Sequence, residues 1–503
     1  KNLTLYNIDT FMSHFTSEED EGEDLTEFIE VPDDESVGVQ QMDSDNEDDN
    51  ANDDENDADI YDDEQGPVED NSCALFKGHS DSVYCAAVHP LKIPRLVLTG
   101  GGDDKAFMWL VNAMKSPSLD NASLSTAEIP QLTCFTELKG HTDTVTNVGF
   151  NFDGTLAFTG SYDGSIRIWR VPSTISHDQT TMTPACVIDG GPEDIEWAEW
   201  HQKGNAIVAG SSDGTVWMWM VHDNASTGVV TSQCLQVFAG HDGAVHCGGF
   251  TSDGKFVFTG GDDGTVRVWQ PKTGVCRHVF EAHSAMVACC VGSHDGDLLL
   301  TGSADGSVAL LQISKKRVLL KLMHHTPTTK GDAGKMTSNS SNNNVDMDEE
   351  EEGEEGEEVG VAVECVGFAP ETSSTTSSSS MKWAASGGMD KTMKIWDLTS
   401  GTCRCVCTHD GSVVALRWHT SLPIVCTTAL DNVVRVWDAR SGSLLLRLSG
   451  HVDLVTNIVF APAISSQREL YHGVETMLDY IVSVSDDNTS RVFLIDSALL
   501  VNK

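Results

Sequence analysis

Short runs of β-branched and aromatic residues recur along most of this chain, and polar turns rich in Asp and Gly separate them. Between Val145 and Arg170, VTNVGF, LAFTGS and SIRIWR follow one another, with Asp153-Gly154 and Asp163-Gly164 in the gaps. Runs of this kind joined by Asp-Gly read as strands in hairpins. No run approaches the ~18 apolar residues of a membrane-spanning helix. No charged-then-apolar signal peptide opens the sequence, which starts at Lys1 rather than Met.

The strand pattern is itself periodic. GHTDTV…FTGSYDGSIRIW ends at Trp169, GHDGAV…FTGGDDGTVRVW at Trp269, and THDGSV…CTTALDNVVRVWD carries Trp437. In each copy a His stands 28 residues before the tryptophan (His141, His241, His409), a Thr ten before it (Thr159, Thr259, Thr427) and an Asp six before it (Asp163, Asp263, Asp431). Weaker copies share the frame. Trp109 has His79, Thr99 and Asp103; Leu311 has His283, Thr301 and Asp305; Phe493 has His451, Ser483 and Asp487. Trp219 keeps Asp213 but has Ala209 and no His, while Trp396 keeps Ser386 and Asp390 with no His at the expected distance. That makes eight units. The shorter spacings between terminal positions, 41 and 42, suit a four-stranded blade, and the longest, 85, requires an insertion. Composition locates insertions at about 111–131, 322–360 and 461–478.

The frame resembles the WD-repeat family of β-propellers over about 430 of the 503 residues, although only Trp396-Asp397 and Trp437-Asp438 keep the literal WD pair. In that family the four side chains form a hydrogen-bonded tetrad: Asp to His, His to Ser/Thr, and Ser/Thr to the indole N–H. The resemblance implies structural tetrads at His141, Thr159, Asp163 and Trp169, at His241, Thr259, Asp263 and Trp269, and at His409, Thr427, Asp431 and Trp437. Buried groups of this kind must find partners. A catalytic reading of the same His, Asp and Thr loses, because the set recurs round a ring whereas a catalytic triad occurs once. The expected fold is an all-β, eight-bladed propeller over residues 73–503. Cys73–Lys77 (CALFK) precedes the first Gly-His, where every other unit has its outermost strand. It should supply the missing outer strand of the blade ending near Phe493 and so remove two exposed edges.

Charge adds the next constraint. Asp and Glu total 77 against 31 Lys and Arg, a net −46. Residues 1–72 hold 27 acids and one Lys, and 346–358 hold ten acids and no base, so the remainder carries only −10. The leader 1–72 reads as disordered, being highly charged and poor in aromatics. Two apolar patches, Leu3–Phe15 and Leu25–Val31, interrupt it as candidate docking motifs. The Glu-rich insertion either shields basic side chains or solvates a long loop. Such a chain repels phosphate, which argues against direct binding of nucleic acid or membrane insertion and favours a basic partner. Fourteen Cys without paired spacing fit a reducing compartment, cytoplasm or nucleus.

Closer similarity lies in EDIEWAEWH…AIVAGSSDGTVWMWMV (Glu193 to Val221), TGGGDDKAFMW (Thr99–Trp109) and LDNVVRVWDARSG (Leu430–Gly442), which resemble the angio-associated migratory cell protein family. The fungal counterpart implies a dedicated chaperone role. There the propeller captures the basic N-terminal tail of a newly made large-subunit ribosomal protein, the universal L-sixteen (eukaryotic L-ten) family, for subunit assembly. The animal counterpart implies instead a signalling scaffold linked to migration and angiogenesis.

In WD propellers the positions flanking the first residue of each inner strand, and those flanking the conserved Asp, line the top face. Here they hold Asp194, Glu196 and Glu364 beside strands, Asp104, Asp262 and Asp486 in turns, and Tyr84, Tyr162, Met286, Met389 and Leu454 as apolar inserts. An acidic rim with such inserts suits an extended basic peptide. For Asp262 and Asp486 an ordinary turn role is equally in keeping with position. No Lys or Arg is expected there. Trp197, Trp200 and Trp217 read as packing rather than a ligand cage. The sequence has no GxxxxGK[ST], HExxH or CxxC, Cys403, Cys405 and Cys407 fit no metal spacing, and His324-His325 is a poor ligand set. No cofactor, metal or enzymatic activity is therefore expected, and the protein should act as a monomeric binding protein.

Overall fold

The computed structural model describes residues 70–91, 95–111, 129–132, 135–172, 181–224, 226–325, 362–370, 383–461, 469–471, 474–476 and 479–495. The leader to residue 69 with its two apolar patches, the Glu-rich stretch 346–358, most of 111–131 and part of 461–478 lie outside them.

Eight antiparallel sheets of the predicted kind form the body, and their inner strands follow one another round the centre. These inner strands are Val83–Val88, Val145–Phe150, Ile195–Trp200, Val245–Phe250, Val287–Gly292, Val363–Phe368, Val413–Trp418 and Val455–Ala461, heading blades 1 to 8. Blade 4 displays the unit plainly, running outward through Val257–Gly261 and Thr265–Trp269 to Cys276–Glu281. Because the strands alternate in direction, two kinds of connection share one end of the ring: those carrying each tetrad His and those carrying each conserved Asp. That end is the top.

The ring closes as the sequence requires. Ala74–Phe76 pairs antiparallel with Ser490–Ile495 as the outer strand of blade 8, with Ala74 opposite Val492 and Phe76 opposite Ser490. The folded part begins earlier than residue 73, however. Buried Asp70 pairs with Arg491, and Asn71 Oδ1 accepts the Ser449 N–H at 2.6 Å. Asp70–Ser72 therefore belong to the propeller, not to a free leader.

Two elaborations had no counterpart in the repeat arithmetic. Thr181–Met182 adds a fifth strand to blade 1, parallel to its outer strand Phe135–Leu138. In blade 3 the outer hairpin lengthens to Thr215–Asn224 and Val229–Ala239, so the spacing of 50 before Trp269 is strand rather than loop.

The core lies between blades. Trp197, Met218, Met220 and Phe238 of blade 3 interdigitate with Val245, Phe250, Val257 and Trp269 of blade 4. Burial of each large side chain contributes roughly 1.5–3 kcal/mol. Glycine makes the close approach possible: a Cβ on Gly248 would fall 2.3 Å from the Trp197 ring. Trp200 donates its indole N–H to Gly149 O of blade 2 at 3.3 Å, and Trp217 stacks on Trp219. All three tryptophans pack.

Candidate functional site

Every inner strand begins with the same irregularity. Register shifts by one residue immediately after the first position in all eight blades. The looped-out residues are Tyr84, Thr146, Glu196, His246, Ala288, Glu364, Val414 and Thr456. A bulge re-aims the side chain it carries, so one residue per blade is freed from the ladder at the top opening. The seams are secured by the residue after the bulge in several blades and, in blades 2 and 8, by the bulge threonines Thr146 and Thr456 themselves. Cys85, Cys247 and Cys289 donate S–H to Val145 O, Val287 O and Val363 O of the next blade at 3.5–3.6 Å. Across the closing seam, Thr456 Oγ1 donates to Val83 O at 2.6 Å.

Tetrads brace the loops around this opening. His141 contacts Asp163 at 2.9 Å and Thr159 at 2.7 Å, and Trp169 donates to the same hydroxyl at 3.0 Å. His241, Asp263, Thr259 and Trp269 repeat the arrangement at 2.7–3.1 Å. His79 and His451 also bridge their Asp and Thr or Ser. Hydrogen bonding to Thr265 and His241 outweighs desolvation and holds the Asp263 carboxyl down, to about 2.

Two blades depart from the sequence expectation. In blade 7 His409 keeps Thr427 at 2.8 Å, and Trp437 keeps Thr427 at 2.9 Å, but Asp431 turns to Arg435 at 2.7 Å. The other partner of Arg435 is Asp410, at 2.8 Å. Val433 stands where Ser165 or Thr265 supports the Asp elsewhere, so a buried guanidinium captures the carboxylate. His409 Nδ1 is left without a partner, and burial pushes its pKa down to about 4. In blade 6 the missing histidine is His324. Fully buried, it contacts Ser386 at 2.7 Å and Asp390 at 3.2 Å, while Trp396 donates to Ser386 at 2.7 Å. It lies 39 residues before Val363, where the other tetrad histidines lie four before their inner strand. His325 and Ala362, the described residues on either side of 326–361, both lie at the top, between blades 5 and 6.

The structure gathers part of the predicted top-face set on one side. Tyr162 has Glu196, Asp194, Tyr84 and Asp143 as electrostatic neighbours, and burial plus these groups raises its pKa. Glu196 is raised chiefly by burial, with Asp194 and Asp262 adding to the rise and His246 opposing it. Tyr84, Tyr162, Asp194, Glu196 and Asp262 therefore form one acidic, aromatic-flanked arc over blades 1 to 4, with the two tyrosines, Asp194 and Asp262 exposed. Asp262 has structural duties as well, accepting the Ala244 N–H at 3.1 Å and meeting His246 Nε2 at 2.6 Å.

The other positions are dispersed. Glu364, raised by burial, and exposed Met389 belong to blade 6, exposed Met286 to blade 5, and half-buried Leu454 and Asp486 to blade 8. Asp486 is pushed up by burial and by Asp453, Asp487 and Asp81. Asp104 occupies a left-handed turn in blade 1 at φ 59°. Two basic residues were missed. His246 sits at the bulge register of Glu196 and Glu364, which is the signal that finds it. Lys391, exposed and directly after Asp390, corrects the expectation that no Lys or Arg lies at these positions.

The WD domain, G-beta repeat, matches residues 132–170, 184–220, 232–270, 274–310, 363–397 and 401–438. The human angio-associated migratory cell protein is 30% identical over 431 residues, 86% of this chain and 81% of its own length, and the dog protein matches equally. Among solved structures, Saccharomyces cerevisiae Sqt1 superposes with a TM-score of 0.64 at 19% identity, covering 85% of this chain and 99% of that one. Chaetomium thermophilum Sqt1, bound to the N-terminus of the ribosomal protein L10, superposes with a TM-score of 0.61 at 20% identity, covering 85% and 100%.

Proposed function

The chain belongs to the angio-associated migratory cell protein family of WD-repeat propellers, and on that premise we propose that it is a non-enzymatic chaperone for the basic N-terminal tail of an L10-type large-subunit ribosomal protein. The observation that carries the reading is the arc of Asp194, Glu196 and Asp262 flanked by Tyr84 and Tyr162. Carboxylates at bulge and strand-entry positions meet lysine and arginine side chains, and the tyrosine rings offer apolar and cation–π contact. The ribosomal-protein tail bound by the Chaetomium relative supplies the client class.

Each exposed ion pair contributes only ~0.2–1 kcal/mol. Affinity therefore comes from several pairs acting with one or two desolvated anchors, and the acidic field mainly speeds encounter. Burial raises the pKa values of Glu196, Glu364 and Asp486, and neighbouring carboxylates add to the rise at Glu196 and Asp486. An arriving basic side chain lowers them, so capture tightens as pH rises through their titration.

The test is titration of the full chain with the isolated basic tail. Charge reversal by Asp194→Lys, Glu196→Lys and Glu364→Lys together should weaken binding by about 100-fold, taking ~1 kcal/mol per site, and added salt should weaken the wild type. Binding that ignores both salt and the triple reversal removes the proposal.

A further inference from the structure

The underside of blades 4 and 5 has the opposite character from the top opening. Hairpins joining third and outer strands, residues 270–279 and 313–318, hold five cations and no carboxylate in a chain of net charge −46. Lys272, Arg277, Lys315, Lys316 and Arg317 are all exposed. The hairpins abut, since His278 meets the backbone of Lys316 and feels its charge. Arg277 Nε donates to Gln270 Oε1 at 3.1 Å, which fixes it along the blade edge. Asp297, the carboxylate that Lys315 feels, accepts instead from Gln312 and from the amide and hydroxyl of Ser314 at 2.7–2.9 Å. Among the described residues no carboxylate stands within 4 Å of Lys272, Lys315, Lys316 or Arg317. Exposed valines interleave with the charges: Val275, at 55% exposure, Val279 and Val318. Among the described residues, the outer strands Cys276–Glu281 and Arg317–Met323 are each last in their sheet and keep a free edge.

We propose that this surface docks an acidic, aliphatic peptide segment of a partner protein. The cations select carboxylates and the valines select aliphatic side chains. The free edges allow the peptide to pair by its main chain, an established mode of strand addition. A polyanion such as RNA fits less well. The two stretches expose no Phe, Tyr or Trp on which bases could stack. The net-negative molecule also repels a long phosphate chain, whereas a short peptide senses charge only within a screening length of ~8 Å. The surface lies on the opposite face from the acidic arc, so it operates whether or not the arc binds a ribosomal protein.

The probe is a fluorescein-labelled peptide of alternating Glu and Val, titrated by anisotropy against the full chain. Wild type should bind it, and Lys315→Glu, Lys316→Glu and Arg317→Glu together should weaken binding at least about tenfold. Lys272→Glu with Arg277→Glu, on the neighbouring hairpin, should weaken it independently, so that a folding defect in one variant does not decide the matter. Reversal of Asp194, Glu196 and Glu364 should leave peptide binding unchanged, which separates this surface from the top-face reading. The proposal is overturned by absence of binding to wild type, by indifference to both underside variants, or by tighter binding of an oligouridylate competitor.

Discussion

Replacing Phe76 by Ala tests how the ring is held shut. Phe76 belongs to the outer strand of blade 8 but reaches into blade 1, stacking on Trp109 at 5.0 Å and 13° and meeting Phe107 and Phe135 edge-on at 5.7 and 5.6 Å. The side chain is 1% exposed, so the truncation removes nearly all of its packing and leaves a cavity between rigid rings. Phe→Ala at such a site costs about 3–5 kcal/mol, against about 0.5 kcal/mol or less for Val406→Ala on an exposed outer strand. Urea unfolding followed by tryptophan fluorescence measures the difference, and limited proteolysis should locate the first cuts at blades 1 and 8. Gly78→Ala presses the same point from the other side, because a Cβ there lies 2.3 Å from Phe76 Cζ. A loss below about 1 kcal/mol for Phe76→Ala, with cuts spread evenly round the ring, would refute the view that this seam limits stability.

Other outcomes follow from the tetrads and the channel side of blade 3. His324→Ala takes one partner from buried Ser386 and half-buried Asp390 and should cost about 2–3 kcal/mol, with faster hydrogen exchange over Trp383–Asp397; His325→Ala, whose ring is 3.9 Å from Asp390, should cost under about 0.5 kcal/mol. His409, held down to about 4 by burial, stays neutral in the fold while the unfolded chain protonates near ~6.5. Its contribution is therefore present above about pH 6.5 and lost as pH falls towards 4, up to about 3 kcal/mol, and urea midpoints of His409→Gln should fall less between pH 7 and 5. Glu199 has the opposite sign. Burial raises it to about 7 while Phe250 N–H donates to it at 3.3 Å. Glu199→Gln keeps that acceptor and should stabilise by about 1–2 kcal/mol at pH 8 but not at pH 5, allowing for the partial exposure of the group.

The sequence announced the blades because hairpin geometry is stiff. Two strands joined by a tight turn such as Asp263-Gly264 fix the separations between Thr259, Asp263 and Trp269, so the spacing of Asp to terminal position survives in every unit, even where Leu311 or Phe493 replaces the indole or Ala209 replaces the hydroxyl. The distance from histidine to inner strand has no such stiffness. His324 escaped because 38 residues stand between it and the strand it serves, where the other tetrads have three, and the cue that remained was the outer strand RVLLKLM running directly into it. Asp431 misled for a different reason. Its spacing was correct, but the side chain chooses among neighbours, and Val433 beside Arg435 tilts the choice towards the guanidinium. On the top face, register identified Glu196 and the tyrosines. Their convergence with Asp194 and Asp262 on one arc depends on ring curvature, which no local pattern encodes.

Where the successor of a bulge residue secures the seam, as Cys85 does after Tyr84 and Cys247 after His246, the two jobs are separable, whereas Thr146 and Thr456 themselves donate across the seam, to Ile195 O and Val83 O. Substitutions at Tyr84, Glu196, His246, Ala288, Glu364 and Val414 can accumulate without breaking a side-chain hydrogen bond across a seam, whereas a change at Cys85, Cys247 or Cys289 is felt by two blades at once. Lineages sharing this scaffold are thus free to diversify in what they grip while inheriting an unaltered frame, and grafting a new preference onto it calls for rewriting six letters rather than refolding a protein.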